Sequence, residues 1–182
     1  PTDIQFKAIP AILKGEDVLA VAQTGTGKTA AYAIPVIEIL HHRKKVHENM
    51  EARCIVMVPT HELAIQVHEV FQQLGNGTGL SFQGIYGGVE QQPQIDALKA
   101  GVDVLVATPG RLFDLESQGF LKLGNVEILV LDEADHMLEL GFYHDMRQLF
   151  AKIPKKRQTL FFSATIDSNI KDLAYSLVDK PV

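Results

Sequence analysis

Short apolar runs alternate with longer stretches of mixed polarity along the chain. Each short run ends in a polar or glycine-rich cluster, and such runs are typical of strands that are buried on both faces. The predicted strands span residues 17–22, 54–58, 81–86, 102–107, 126–131 and 159–162. The clusters that follow them are therefore expected to lie at strand ends.

The stretches between these runs have the apolar spacing of helices. They predict helices over residues 2–13, 28–40, 61–74, 91–100, 110–117, 134–139, 142–153 and 167–177. Pro10 is expected to kink or break the first helix because proline lacks a backbone N–H. The alternation predicts an α/β fold, with a mostly parallel central sheet and helices on both faces. The length of 182 residues, without an internal repeat, suits one domain.

Six polar clusters follow the predicted strands: "QTGTGKT", "PTHE", "GGV", "DEAD", "TPGR" and "SAT". In open parallel sheets, ligands bind outside the carboxyl ends of the strands. The clusters are therefore expected to share one functional edge of the sheet.

The first cluster has the features of a phosphate-binding loop. Gly25 and Gly27 allow backbone N–H groups to turn inward on a phosphate, Lys28 supplies a positive charge, and the hydroxyl of Thr29 is a ligand for Mg²⁺. The strict pattern would place glycine at position 22, where this chain has Ala22. The strand before the loop and the helix after it favour a nucleotide site over a chance glycine-rich turn.

In the run "ILVLDEAD", a predicted buried strand is followed directly by three carboxylates, those of Asp132, Glu133 and Asp135. A phosphate loop requires a second strand end that presents a carboxylate to the metal, and Asp132 fits this role directly or through water. Glu133 is then placed to orient and deprotonate the water that attacks the γ-phosphate. Acidic residues also favour helix N-termini, so a charged helix start is the alternative interpretation.

Composition narrows the classes of function. The formal charge of −5 argues against nucleic-acid binding through net charge, so any such site is local. No apolar run has the length of a membrane span, and the single cysteine, Cys54, suits a reducing compartment, so a cytoplasmic, membrane-free protein is expected. His41, His42 and His47 lie among cations and are expected at the surface rather than at a metal.

With "AQTGTGKT" and "VLDEAD" in view, the sequence resembles the first RecA-like domain of a DEAD-box ATP-dependent RNA helicase. Residues 1–10, "PTDIQFKAIP", are similar to the later half of the adenine-sensing Q motif, with Gln5 as its glutamine. "PTHELAIQ" resembles motif Ia, "YGG" the GG motif, "TPGR" motif Ib and "SAT" motif III. The motifs occur in family order over essentially the whole chain, residues 1–182, which is expected to form a single RecA-like ATP-binding domain.

The resemblance implies ATP and Mg²⁺ as cofactors. Gln5 would hydrogen-bond the adenine edge, and the phosphates would be held by Ala22, Gln23, Thr24, Gly25, Thr26, Gly27, Lys28 and Thr29. The metal ligands would be Thr29 and Asp132. The implied catalytic residues are Lys28, Asp132, Glu133, Ser163 and Thr165. Ser163 and Thr165 could hydrogen-bond Asp135 and Glu133, which would give Asp135 a structural or coupling role.

The resemblance also implies an RNA site that contacts the sugar-phosphate chain without reading its sequence. Its residues would be Pro59, Thr60, His61, Glu62, Gly87, Gly88, Thr108, Pro109, Gly110 and Arg111. From the residues alone, Gly87 and Gly88 would be a plain turn and Thr108 with Pro109 a helix cap.

The sequence departs from the family pattern at two positions. His61 and His136 stand where the family usually has arginine. An imidazole cannot replace the five-donor guanidinium, so RNA affinity that falls as the pH rises is expected if His61 contacts phosphate. The chain begins inside the Q motif and ends soon after motif III. It is therefore expected to be a monomeric fragment whose second RecA-like domain, with its arginine fingers, is missing, and which hydrolyses ATP poorly.

Two other functions compete with an RNA-dependent ATPase that unwinds or remodels duplexes. A non-catalytic, ATP-gated RNA clamp has no need of Glu133, which this chain retains. A P-loop small-molecule kinase would need an acceptor-binding lid and would leave "PTHELA", "TPGR" and "SAT" unexplained.

Overall fold

The computed structural model of the protein describes residues 1–43 and 49–182. They form a six-stranded sheet in which all the strands are parallel. The strands are β1 (Val18–Val21), β2 (Ala52–Met57), β3 (Phe82–Ile85), β4 (Val102–Ala107), β5 (Ile128–Leu131) and β6 (Gln158–Ser163). Their spatial order is β1-β6-β5-β2-β4-β3. The predicted α/β class with a parallel sheet is confirmed.

Helices connect the strands, close to the predicted positions. They are α1 (Asp3–Leu13), α2 (Lys28–His42), α3 (His61–Leu74), α4 (Gln92–Lys99), α5 (Pro109–Ser117), α6 (Ala134–Glu139), α7 (Tyr143–Lys152) and α8 (Ser168–Leu177). Polar side chains fix several starts: Thr60 accepts the N–H of Leu63 at the start of α3, and Asp167 accepts that of Ile170 at the start of α8.

Pro10 was predicted to kink or break the first helix, and the break does not occur: α1 continues through this residue to Leu13. Thr2 and Gln5 form a capping box that satisfies two backbone N–H groups at the start of the helix. Ala8, Ala11 and Ile12 are buried on its inner face, in the core cluster that also contains residues of α2. Capping and tertiary packing together outweigh the cost of one proline in the helix interior.

Two apolar cores cover the two faces of the sheet, which places helices on both sides. Side chains of β2 alternate between them: Ile55 and Met57 belong to one core, Cys54 and Val56 to the other. This alternation follows from the two-residue period of a strand. Because both faces are buried, the strands are almost continuously apolar, and their polar residues accumulate at the ends.

The amino ends of the strands are held by a buried ion cluster, far along the strands from the predicted functional edge. Arg53, which is 3% exposed, donates from Nε to Glu127 at 2.8 Å and from Nη1 to Asp103 at 3.4 Å. It also donates to the carbonyl of Leu40 at the end of α2. One guanidinium therefore connects the starts of β2, β4 and β5.

The histidine cluster predicted at the surface is only partly described. His41 and His42 end α2, and the imidazole of His42 lies 2.7 Å from Glu38, whereas His47 lies outside the described residues. Within residues 1–43 and 49–182, no three His, Cys, Asp or Glu side chains gather as a metal site. In the same residues, no helix is both long and apolar enough to cross a bilayer.

Candidate functional site

The strand order divides the carboxyl edge of the sheet into two halves. The loops after β1, β6 and β5 carry "QTGTGKT", "SAT" and "DEAD", and we call this region the β1–β6–β5 half. The loops after β2, β4 and β3 carry "PTHE", "TPGR" and "YGG", and this region is the β2–β4–β3 half. The clusters expected to hold nucleotide and those expected to hold RNA are therefore neighbours but not mixed.

The loop between β1 and α2 has the backbone of a phosphate cradle. The N–H of Ala22 donates to the carbonyl of Ser163 at 2.9 Å, which fixes the start of the loop to the end of β6. Gly25 and Gly27 have φ values of 84° and 79°, in the left-handed region that favours glycine. The hydroxyl of Thr26 donates to the carbonyl of Gln23 at 2.6 Å and closes the turn. Residues 23–25 at the tip are exposed to solvent.

Lys28 and Asp132 form an ion pair inside the protein. The Nζ atom of Lys28 lies 3.0 Å from Oδ1 of Asp132, and the side chains are 6% and 0% exposed. Neither atom has an aligned hydrogen-bond partner in the described residues. A buried cation and a buried carboxylate oxygen with spare capacity fit a ligand that offers both phosphate oxygens and a cation. The residues present therefore suit a nucleotide with Mg²⁺.

Tyr32 joins this pair and was not predicted. Its hydroxyl donates to Oδ2 of Asp132 at 2.8 Å, and both residues are fully buried. Burial, together with the charge of Asp132, raises the pKa of Tyr32 well above its usual value, so the hydroxyl remains a donor. Asp132, one of the two predicted metal ligands, is thus linked through one tyrosine to α2, the helix that also carries Thr29.

Glu133 has a backbone conformation that is rare for a side-chain-bearing residue, with φ 54° and ψ 50°. It occupies the N-cap position of α6, but its side chain makes no capping hydrogen bond. A left-handed conformation costs a non-glycine residue about 1 kcal/mol, and such residues cluster at functional sites. The carboxylate of Glu133 therefore makes no capping bond, while Asp135 lies in the first turn of α6, where the alternative interpretation of the "DEAD" run expects an acidic residue.

Ser163 and Thr165 connect β6 to α6 through Asp135. The hydroxyl of Thr165 donates to Oδ2 of Asp135 at 3.0 Å, as predicted for one of the two carboxylates. The hydroxyl of Ser163 is buried and donates instead to the carbonyl of Thr165 at 2.8 Å. Burial raises the pKa of Asp135, but hydrogen bonds from Thr165 and the backbone outweigh it, so the pKa lies below its usual value. Glu133 was predicted as the other carboxylate partner of these hydroxyls, and Ser163 bonds the carbonyl of Thr165 in its place.

Gln5 connects α1 to the phosphate loop. Its Oε1 accepts the N–H of Thr2 at 3.1 Å, and its Nε2 donates to the carbonyl of Gly27 at 3.2 Å. A Cβ at position 27 would lie 2.6 Å from that Nε2 and would displace the glutamine amide, and the positive φ of Gly27 also favours glycine there. A second N–H and a second lone pair remain on the amide. The predicted contact with adenine stays a prediction, and the amide retains the groups it needs.

The β2–β4–β3 half is built from helix starts and exposed side chains. Thr60 caps α3, while His61 and Glu62 at its first turn are exposed and Pro59 is buried. The ring of His61 stacks on Tyr86, with centroids 5.3 Å apart and planes 17° from parallel. Histidine in the arginine position of motif Ia therefore has an aromatic partner.

The GG motif is held in place by Arg111. Its Nη1 donates to Gln94 at 2.9 Å and its Nη2 to the carbonyl of Val89 at 3.0 Å. Gly88 has φ 82° and so requires glycine, while Gly87 has an ordinary φ and lacks that constraint. Two donors of Arg111 are thus used to position the loop that follows β3.

The start of α5 has the predicted backbone cap but not the side-chain bond. Thr108 is extended at the N-cap and makes no capping hydrogen bond with its hydroxyl. Pro109 is buried at the first helical position, and Gly110 next to it is exposed. The hydroxyl of Thr108 and the N-terminus of α5 are thus available to an anion at this edge. RNA binding by this half remains a prediction.

Comparison with known proteins supplies the family. The family model described as DEAD/DEAH box helicase matches residues 2–173. A DEAD-box ATP-dependent RNA helicase, CshA, of Streptococcus pneumoniae is 42% identical over 98% of this chain and 33% of its own length. The ATP-dependent RNA helicase DRS1 of Kluyveromyces lactis is 47% identical over 100% of this chain and 24% of its own. The chain thus spans a third or less of the length of these relatives.

The fold has a solved counterpart at comparable identity. The crystal structure of a DEAD box protein from the hyperthermophile Methanococcus jannaschii superposes with a TM-score of 0.90 at 42% identity. The match covers 100% of this chain and 48% of that one. The RecA-like fold expected from the resemblance is confirmed.

Proposed function

The chain belongs to the DEAD/DEAH box helicase family, and from that premise we propose that it is the ATP-binding and hydrolysing half of an RNA-dependent ATPase that unwinds or remodels RNA duplexes. The observation that carries this proposal is the buried pair of Lys28, at the start of α2, and Asp132, at the end of β5, with hydrogen-bonding capacity to spare. Thr29 and Glu133 flank the pair in sequence. The proposal covers this domain and, through it, the longer protein.

Binding of ATP rests on charge and backbone donors. The phosphates lie in the loop between β1 and α2, where Lys28 supplies a fixed positive charge and the N-terminus of α2 adds its partial charge. Mg²⁺ would be held by Thr29 and Asp132, and it would supply neutralisation of charge on the phosphate oxygens. A site with one carboxylate, one hydroxyl and substrate phosphates is typical of this ion.

In the proposed hydrolysis, Glu133 acts as the general base. Its carboxylate takes a proton from a water molecule, whose oxygen forms a bond to the γ-phosphorus. The bond between that phosphorus and the bridging oxygen breaks, and ADP and phosphate are the products. The absence of a capping bond to this side chain supports the role, because the carboxylate is left available for water.

RNA would bind along the β2–β4–β3 half, through its sugar-phosphate chain and without sequence specificity. Exposed His61, Glu62, Gly88 and Gly110, the helix starts and Arg111 form this surface. Contacts to 2′-hydroxyls would favour RNA over DNA. The hydrogen bond between Thr165 and Asp135 is the proposed link through which "SAT" couples the nucleotide state to RNA binding. We also propose a monomeric domain and, because Cys54 is a free and buried thiol, a cytoplasmic location.

The complete active site would include groups outside this chain. In an RNA-dependent ATPase of this kind, an arginine from a second RecA-like domain stabilises the charge that develops on the phosphate, and an arginine finger is worth about 10³–10⁵ in rate. We therefore expect this domain alone to bind nucleotide and to hydrolyse it slowly.

Turnover of ATP by this chain, with and without single-stranded RNA, tests the proposal. Glu133→Gln supplies the background, and Glu139→Gln, the same change at an exposed position of α6, is the matched control. We expect Mg²⁺-dependent binding of ADP by all three proteins, with turnover at or near the background. Failure of the unaltered chain to bind ADP with Mg²⁺ would overturn the nucleotide site. Robust RNA-stimulated turnover would instead show that this domain carries a complete active site.

A further inference from the structure

We propose that Tyr32 is a positioning residue for the carboxylate of Asp132, and that its hydroxyl sets the affinity of the site for a divalent cation. The inference rests on the proposed function of the same site, since it assigns the cation to Asp132 and Thr29. It concerns a residue that motif patterns do not mark.

The position of Tyr32 follows from the helical repeat. Tyr32 is four residues after Lys28 in α2, so the two side chains share one face of the helix. That face is turned toward the ends of β5 and β6, and both residues meet the same carboxylate there. Lys28 lies 3.0 Å from Oδ1 of Asp132, and the Tyr32 hydroxyl donates to Oδ2 at 2.8 Å.

Packing explains the ring of Tyr32 but not its hydroxyl. The ring contacts Phe162 and Phe71, with centroids 5.3 Å and 6.2 Å away. A phenylalanine would make the same contacts. The hydroxyl adds a polar group at a fully buried position, which is unfavourable unless the group finds a partner. Its partner is the carboxylate that is predicted to hold the metal.

The hydroxyl of Tyr32 places the two oxygens of the Asp132 carboxylate in different environments. Because Oδ2 is held by Tyr32, the plane of the Asp132 carboxylate is fixed, and Oδ1 remains without an aligned hydrogen bond. One buried hydroxyl thus orients the carboxylate of Asp132.

Residues that hydrogen-bond metal ligands tune affinity strongly, and their loss typically costs about 10–100-fold in metal affinity or activity. For Tyr32→Phe we therefore expect the Mg²⁺ concentration at half-maximal ADP binding to rise about tenfold. The affinity for ADP in excess chelator should not change, because the tyrosine does not contact the phosphates in this arrangement. The substitution removes one oxygen atom and retains the ring, so the fold is expected to persist.

The experiment is a titration of fluorescent ADP into the whole chain at a series of Mg²⁺ concentrations. Binding of Mn²⁺ to the chain with ADP, followed by electron paramagnetic resonance, gives a second readout that does not depend on turnover. Tyr175→Phe removes the same atom from a tyrosine that is 58% exposed on α8 and is the matched control. Phe71→Leu disturbs the packing around Tyr32 while keeping its hydroxyl.

The outcomes separate this inference from the proposed function. A rise in the Mg²⁺ requirement for Tyr32→Phe, but not for Tyr175→Phe or Phe71→Leu, supports the positioning role. An unchanged requirement in Tyr32→Phe, or an equal rise in Phe71→Leu, overturns it and leaves the nucleotide site intact. If the unaltered chain shows no Mg²⁺-dependent binding, the proposed function fails first.

Discussion

The two halves of the carboxyl edge solve different binding problems. In the β1–β6–β5 half, the key groups are buried: Asp132 and Ser163 are 0% exposed and Lys28 is 5% exposed. Lys28 and Asp132 are each paired with a side chain from another element, and Ser163 with the carbonyl of Thr165. In the β2–β4–β3 half, His61 and Gly88 are exposed. There the side-chain bonds, such as that of Arg111 to the carbonyl of Val89, position loops.

The difference follows from the ligand that each half is proposed to hold. A compact cluster of metal ion and phosphates requires fixed charges in a region of low dielectric constant, where small displacements are costly. An RNA strand is long and evenly charged, and it can be held by many weak contacts spread over a surface. Substitutions should therefore act sharply and locally in the first half, and gradually in the second.

The largest effect is expected at Lys28. Lys28→Ala removes the buried positive charge at the phosphate loop, so we expect ADP affinity to fall by roughly 100-fold, about 3 kcal/mol. RNA affinity without nucleotide should be unchanged. Isothermal titration calorimetry and fluorescence anisotropy measure the two affinities, and Lys99→Ala, at an exposed lysine, is the control. A matching loss of RNA affinity would show that the halves are not separable.

A smaller effect is expected at Arg111, on RNA alone. Arg111→Ala releases Gln94 and the carbonyl of Val89 and removes a cation, so RNA affinity should fall by roughly tenfold, about 1.4 kcal/mol. Arg111→Lys keeps the charge, but lysine cannot donate from two nitrogen atoms to Gln94 and to the carbonyl of Val89 at once. If Arg111→Lys had the RNA affinity of the unaltered chain, the charge of Arg111 would account for RNA binding and its positioning of the loop would not. Arg147→Ala removes an exposed arginine on α7 and should change neither affinity.

A pH-dependent effect is expected at His61. A protonated imidazole attracts phosphate, so RNA affinity should be highest in acid and fall by roughly threefold as the pH rises from about 5.5 to 8. His61→Arg should remove the dependence because arginine stays charged. Anisotropy titrations at constant ionic strength measure the change. RNA affinity that is indifferent to pH in the unaltered chain would contradict the phosphate contact.

The smallest effect is expected at Thr165, on stability. The pKa of Asp135 is lowered in the folded state, so this carboxylate stabilises the fold above its ordinary pKa of about 4, and the contribution is lost as the pH falls through the lower folded-state pKa. Thr165→Val should destabilise by less than about 1 kcal/mol at neutral pH, since Asp135 is partly exposed. Urea unfolding at a series of pH values measures the difference, which should shrink in acid.

A double-mutant cycle isolates this contact. In an Asp135→Asn background, Thr165→Val should lose its pH-dependent effect because no carboxylate remains to titrate. The same pH dependence in both backgrounds would show that another group is responsible.

Much of the fold could be predicted because both faces of the sheet are buried. The strands are therefore continuous apolar runs, and their polar ends mark the functional edge. The approach of Asp132 to the phosphate loop could also be predicted, since such a loop requires a carboxylate at a nearby strand end, but its ion pair with Lys28 was not predicted. The order of the strands could not, because the pattern of a strand does not reveal which neighbour it finds, and so the division into two halves was not foreseen.

Tyr32 was missed for a related reason. It lies in an apolar stretch of a helix, where a buried aromatic residue is the ordinary core choice, and its hydroxyl becomes significant only once β5 places Asp132 opposite it. Gln5 shows the reverse case. Alone it would be taken for a surface amide. The resemblance marks it as a site residue, and the structure joins it to the phosphate loop through its bond to Gly27, which depends on how α1 lies across the loop.

The pairing of β1 with β6 has a consequence for how the protein folds. Val18 and Leu160 are neighbours in the sheet although nearly the whole chain separates them in sequence. Contacts between such distant residues form late, because the loop that they close is entropically costly. During synthesis, the phosphate loop reaches solvent early, but β6 emerges from the ribosome near the end of this domain. The groups proposed to hold nucleotide come together only after β6 has been made, so we expect a nascent chain to lack a complete nucleotide site until then.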